Sequence, residues 1–117
     1  MANVVKMPLY LEKQRVVLIA ETPTGAEEYV FTVNNDILPA SIHLKGHASD
    51  TYVLKSLVTD VDNTNLGTSG TWETVICDGT NFNFDANTSV RTIVAPGVYK
   101  IIAPGTVNGA CNALICW

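Results

Sequence analysis

Apolar and polar residues alternate along this chain in short runs that end at turn residues. Tyr29–Val33 reads Tyr, Val, Phe, Thr, Val and predicts a strand. Ser41–Lys45 puts Ile42 and Leu44 on one face and His43 and Lys45 on the other, the two-residue period of a pleated ribbon. Thr71–Cys77 predicts one strong strand, with Trp72, Thr74 and Ile76 on one face and Glu73, Val75 and Cys77 on the other. Phe82 and Phe84 alternate with Asn81, Asn83 and Asp85, and strands follow over Ser89–Val94, Val98–Ile102 and Ala113–Trp117. Within Arg15–Glu21 the run Val16, Val17, Leu18, Ile19 is continuously apolar, the pattern of a strand buried on both faces. Thr51–Asp60 has helix-compatible spacing at Leu54, Leu57 and Val58, but its β-branched content and its neighbours favour a strand. Val4–Leu11 is extended and broken by Pro8, which cannot donate to a ladder, so it reads as an edge strand or arm.

The punctuation is that of an all-β chain. Thr22–Gly25, Asn34–Asp36, Ala95–Gly97, Pro104-Gly105 and Asn108-Gly109 are turns, and Asp60–Gly70 is the longest polar loop. Ile37-Leu38-Pro39 is extended and cannot be a central strand. Asp78-Gly79 is the strongest hairpin signal, since both residues tolerate the positive φ of a type I′ turn. Short strands at intervals of roughly 8–12 residues predict a single-domain antiparallel β-sandwich, with a jelly roll among the strand orders it admits. Residues 1–12 are expected to form the N-terminal arm or edge strand and residues 13–117 the sandwich.

Composition agrees. Val, Ile and Thr make up 35 of 117 residues, while only 15% are charged. That combination excludes a coiled coil, a helical bundle and a disordered tail. The net charge of −4 and seven scattered Lys and Arg leave no basic stripe for nucleic acid or an anionic membrane surface. Met1–Lys6 does not open a secretory signal, so a reducing compartment is expected, with Cys77, Cys111 and Cys116 as free thiols. Buried, such thiols act as small hydrophobes.

Candidate chemistry is sparse. His43 and His47 are four apart with Gly46 between them, and they read as solvent-facing strand and loop histidines rather than metal ligands. Cys111 and Cys116 are five apart, which puts them on opposite faces of a strand. Asp60, Asp62 and Thr64 alternate like the first calcium ligands of an EF-hand, but Asn65 stands in place of its glycine and Thr71 in place of its glutamate. They read as turn formers, with weak calcium binding as the alternative. Glu73 has no acid partner in sequence for glycoside hydrolysis. Trp72 is either a core residue or a sugar-stacking platform. Trp117 packs either into its own core or into a neighbouring subunit. No catalytic residue, metal ligand or cofactor is expected.

One resemblance bears on function. Ile42-His43-Leu44-Lys45-Gly46 is followed by Gly70-Thr71-Trp72-Glu73-Thr74-Val75 leading into Asp78-Gly79. Phe82 and Phe84, Val90-Arg91-Thr92-Ile93, Ala95-Pro96-Gly97-Val98-Tyr99-Lys100 and a final apolar strand complete the order. In this order Ser41–Trp117 resembles the small β-proteins encoded beside the major capsid protein of tailed bacteriophages, and Met1-Ala2-Asn3-Val4-Val5 is compatible with them. The resemblance implies a sandwich or jelly roll on the capsid exterior, made in the host cytoplasm. It implies a decoration or cement protein that binds the major capsid protein, often as a trimer or dimer, with no catalytic residues. Val4, Val5 and Met7 in the arm, and Trp117, are the expected partner contacts. The second reading is a carbohydrate- or receptor-binding β-module of a tail fibre or baseplate. Its exposed aromatic platform would be Trp72, Tyr52 or Tyr99.

Overall fold

The computed structural model describes residues 14–47, 50–58, 71–77, 80–85 and 88–117. The expected arm with Val4, Val5 and Met7, the Asp60–Gly70 loop and the Asp78-Gly79 turn lie outside the described residues. Ten strands are present among those described: β1 (Arg15–Glu21), β2 (Glu28–Val33), β3 (Ala40–Lys45), β4 (Val53–Val58), β5 (Thr71–Thr74), β6 (Ile76–Cys77), β7 (Thr80–Asn81), β8 (Val90–Ile93), β9 (Gly97–Ile102) and β10 (Cys111–Cys116). A 3-10 turn at Asn35–Ile37 precedes β3, and the Asn34 side chain caps it by accepting from the Asp36 amide at 3.0 Å.

The fold is an all-β sandwich of two four-stranded sheets. Sheet A has the order β1-β10-β3-β8 and sheet B the order β2-β9-β4-β5, and every pair is antiparallel. The first and last strands are neighbours, β6 and β7 form a separate two-stranded ribbon, and successive strands of the two large sheets cross between them except at β4–β5. Eight strands interleaved in this way form a jelly roll. Chain order alone does not reveal it, because β1 with β10 and β2 with β9 pair across most of the sequence. Gln14 and Trp117 exchange two backbone bonds of 3.0 Å, which extends the β1–β10 ladder to the last residue.

The core lies between the sheets, and alternation decides who enters it. Ala40, Ile42 and Leu44 from β3 and Cys111, Ala113 and Ile115 from β10 point inward. From sheet B come Leu54, Tyr99 and Ile101, with Phe31 stacked on its register partner Tyr99 at 5.9 Å between centroids. Tyr52 and Phe84 are fully buried and joined by a two-bond bridge at one end of the sandwich.

Two expectations are corrected. β1 is not buried on both faces. It is an edge strand of sheet A, in which Val16 is 49% and Val17 59% exposed and only Ile19 is buried. A register shift between Val17 and Ile19 inserts Leu18 as an extra residue, so the apolar run turns at a bulge instead of filling two layers. Thr71–Cys77 is not one strand. The Val75 amide donates to Leu54 of β4, but its carbonyl accepts from Phe82, so the chain leaves sheet B there and enters the small β6–β7 ribbon.

Candidate functional site

Three places in the described residues gather polar or aromatic groups, and each follows from the pleat and the strand order.

The first is a buried polar cluster under the β3–β4 and β9–β10 connections. Gly46 turns the chain inward at φ 88°, and a Cβ there would meet the Ala110 carbonyl oxygen at 2.3 Å. Only glycine permits that approach. The turn carries His47 into the interior, where it is 4% exposed, so this histidine does not face solvent as expected. Its Nε2 donates to the Thr88 carbonyl at 2.9 Å, and its ring meets Tyr52 edge-on. His43 stays on the outer face of sheet A, so the two histidines do not converge. Asp50, also buried, accepts from the Asn108 amide at 3.1 Å and from Asn108 Nδ2 at 2.7 Å, and so ties one connection to the other. The Tyr52 hydroxyl lies against the Cys111 thiol. Burial pushes that thiol up and the Asp50 carboxylate adds to the effect, while the Tyr52 hydroxyl opposes it. A buried, protonated thiol is a poor nucleophile. Cys111 and Cys116 point to opposite sides of β10, as the five-residue offset requires.

The second place is a cavity of about 260 Å³ at the β5–β8 side of the sandwich, lined by Val75, Phe82, Ile93, Val94 and Tyr99 among others. The Tyr99 hydroxyl is spent on the Ala95 carbonyl at 2.7 Å. The lining is mainly apolar, with Thr92 and the Tyr99 hydroxyl as its polar side-chain groups, and it carries no carboxylate, amine or imidazole.

The third is the pair of outward sheet faces. On sheet A the register places Val17, Leu114, His43 and Val90 side by side across all four strands. Flanking rows hold Arg15, Cys116, Ser41 and Thr92 on one side and Ala20, Asn112 and Lys45 on the other. No acidic residue stands at an outward strand position of this sheet. On sheet B the outward face holds Trp72 and Thr74 on β5, Lys55 on β4, Lys100 on β9 and Glu28 on β2. Lys100 is 8% exposed, although sequence patterning gives no reason to bury a lysine. Its Nζ pairs with Glu28 Oε1 at 2.9 Å and sits 4.3 Å from the Trp72 ring centroid. Glu73 points to the other side of β5 from Trp72 and is exposed.

Of the residues singled out from sequence, Tyr52 and Tyr99 are buried and offer no platform, whereas Trp72 lies on an outer face. Trp117 is half-buried and packs against the chain's own core. Among the described residues no group of three or more His, Cys, Asp or Glu is placed to hold a metal ion. No known family model, no characterised protein and no solved structure matches this chain.

Proposed function

We propose that this chain is a structural virion protein that binds the outer surface of a tailed-phage capsid and stabilises it as a decoration or cement subunit. The observation that carries this reading is the outer face of sheet A. Its row Val17–Leu114–His43–Val90, apolar except for His43, is flanked by polar and basic residues, the anatomy of a protein–protein interface. Arg15 and Lys45 on this face, in a chain of net charge −4, suit an acidic patch on the shell protein. Edge strand β1 and the arm with Val4, Val5 and Met7 supply backbone contacts that need no particular side-chain match. Repetition over a shell lets weak single contacts sum, and a trimer or dimer of the chain multiplies them further.

The copy number in purified particles tests the reading. A ratio near one per main shell protein supports it. A few copies per particle moves the protein to the tail, and absence from particles overturns it. Leu114→Glu should abolish binding to shells while the variant stays folded.

One observation favours the second reading, a carbohydrate- or receptor-binding module. Trp72 lies on the outer face of sheet B beside Lys55 and Lys100.

A further inference from the structure

We infer that the outer face of sheet B binds an acidic saccharide, with one sugar ring stacked on Trp72 and its carboxylate held by Lys55. The inference deepens the binding-module reading and rests on it. It leaves shell attachment through the opposite sheet untouched.

Strand spacing sets the posture of the indole. Trp72 stands on β5 and Lys100 on β9, with β4 between them. Neighbouring strands are about 4.8 Å apart, so these two are about 10 Å apart. Yet Lys100 Nζ lies 4.3 Å from the Trp72 ring centroid. The indole therefore lies across β4, flat along the sheet, with one face on the ammonium group. It covers Lys100, which explains why that lysine is buried. Lys100 occupies one ring face only, and Trp72 keeps part of its surface in solvent.

Charge sets the chemistry of what would lie on that face. Lys55 is the direct register partner of Lys100, and like charges placed opposite each other are unfavourable. Glu28 neutralises Lys100. Lys55 has Thr74 as its other register partner, and it forms no ion pair among the described residues. An anion beside Lys55 would neutralise it as Glu28 neutralises Lys100. The site thus offers a flat apolar face, a cation at its edge that is unpaired among the described residues, and a threonine hydroxyl. A pyranose ring with a carboxylate matches all three: its C–H face covers the indole, its carboxylate reaches Lys55 and a hydroxyl meets Thr74. A glutamate side chain would satisfy Lys55 and leave the indole face unmatched.

Calorimetry on the full chain tests this, with an oligogalacturonate as the acidic saccharide, a neutral galactose oligomer of equal length and a hexaglutamate peptide. Oligogalacturonate should bind at least tenfold tighter than either of the others, and more weakly as salt is raised. Lys55→Met should weaken it at least tenfold while leaving the Trp72–Lys100 contact and the fold intact. Trp72→Leu should do the same through the lost platform, and Lys45→Met on the opposite sheet should change nothing. Equal binding to Lys55→Met or equal affinity for hexaglutamate overturns the inference. Equal affinity for the neutral oligomer overturns the acidic preference while the module reading stands. Binding of neither saccharide overturns the inference, and Trp72 fluorescence that also stays unchanged across a wider glycan and receptor panel overturns that reading.

Discussion

Gly46 abuts the Ala110 carbonyl so closely that a Cβ on it would lie 2.3 Å from the oxygen. The contact involves backbone on both sides, so no side-chain rotation relieves it. The same glycine sits at φ 88°, which an L side chain rarely adopts. Gly46→Ala should therefore cost about 3 kcal/mol or more, at the severe end for a single substitution. Urea unfolding followed by tryptophan fluorescence measures it. A loss under about 1 kcal/mol would mean that the β9–β10 connection shifts freely.

Asp50 and Asn108 form a second lock a few residues away. Asp50 is buried while Asn108 is exposed, so Asp50→Ala removes both bonds but lets water reach the Asn108 amide and Nδ2, and it should destabilise by about 1–2 kcal/mol. Asn108→Ala removes only the side-chain donor and should cost less. A double-mutant cycle should return a coupling of about 1 kcal/mol or more, and additivity would show that the two connections are held independently.

Alkali should unfold the protein through its tyrosines. Burial raises Tyr29, Tyr52 and Tyr99 above the ordinary value of 10.0. Glu21 and Glu27, both bonded to the Tyr29 hydroxyl, raise Tyr29 further, and Cys111 and Asp50 do so for Tyr52. In the unfolded chain these phenols ionise at about pH 10, so the folded state binds more protons above that pH. Their contribution to stability is full below about pH 10 and is lost as pH rises through the folded values. Tyrosinate absorbance should therefore rise for these three together with unfolding. A smooth titration near pH 10 with the fold intact would contradict the burial.

The two described thiols should differ in reactivity. Cys111 is fully buried and its thiol is pushed up by burial, whereas Cys116 is on the outer face of sheet A and part-exposed. Brief alkylation followed by peptide mapping should label Cys116 well before Cys111. Cys111 should react only at the rate of unfolding.

Trp117→Ala should lower stability by about 1–3 kcal/mol, because the ring packs against the chain's own core. Leu114→Glu, on the outer face, should leave stability within about 1 kcal/mol. Shell binding lost in Leu114→Glu but kept in Trp117→Ala would place the contact on the sheet A face rather than at the C-terminus.

The strand pattern was largely legible because side-chain direction in a strand is local. Ile42 and Leu44 face inward and His43 and Lys45 outward, as their alternation requires, and β1, β2, β8, β9 and β10 occupy the predicted runs to within about two residues. Trp72 was legible only as an aromatic with two readings, since nothing local says which layer covers it. The misreadings share one cause. Val16–Ile19 looked like a strand covered on both faces, but cover is supplied by other strands, and β1 has β10 on one side only within sheet A. Val75 continued the Thr71–Thr74 alternation, yet its carbonyl bonds to Phe82 rather than to a strand of sheet B. His47 is buried because Gly46 abuts Ala110, far along the chain, and Lys100 because Trp72 on β5 reaches over β4 to it. By itself the sequence determined which residues form strands and which way each side chain points, since both depend on neighbours one or two residues away. The tertiary structure alone decided which strands are edges, which polar groups are buried and which faces stay open, because those depend on pairings between residues as far apart as Arg15 and Cys116.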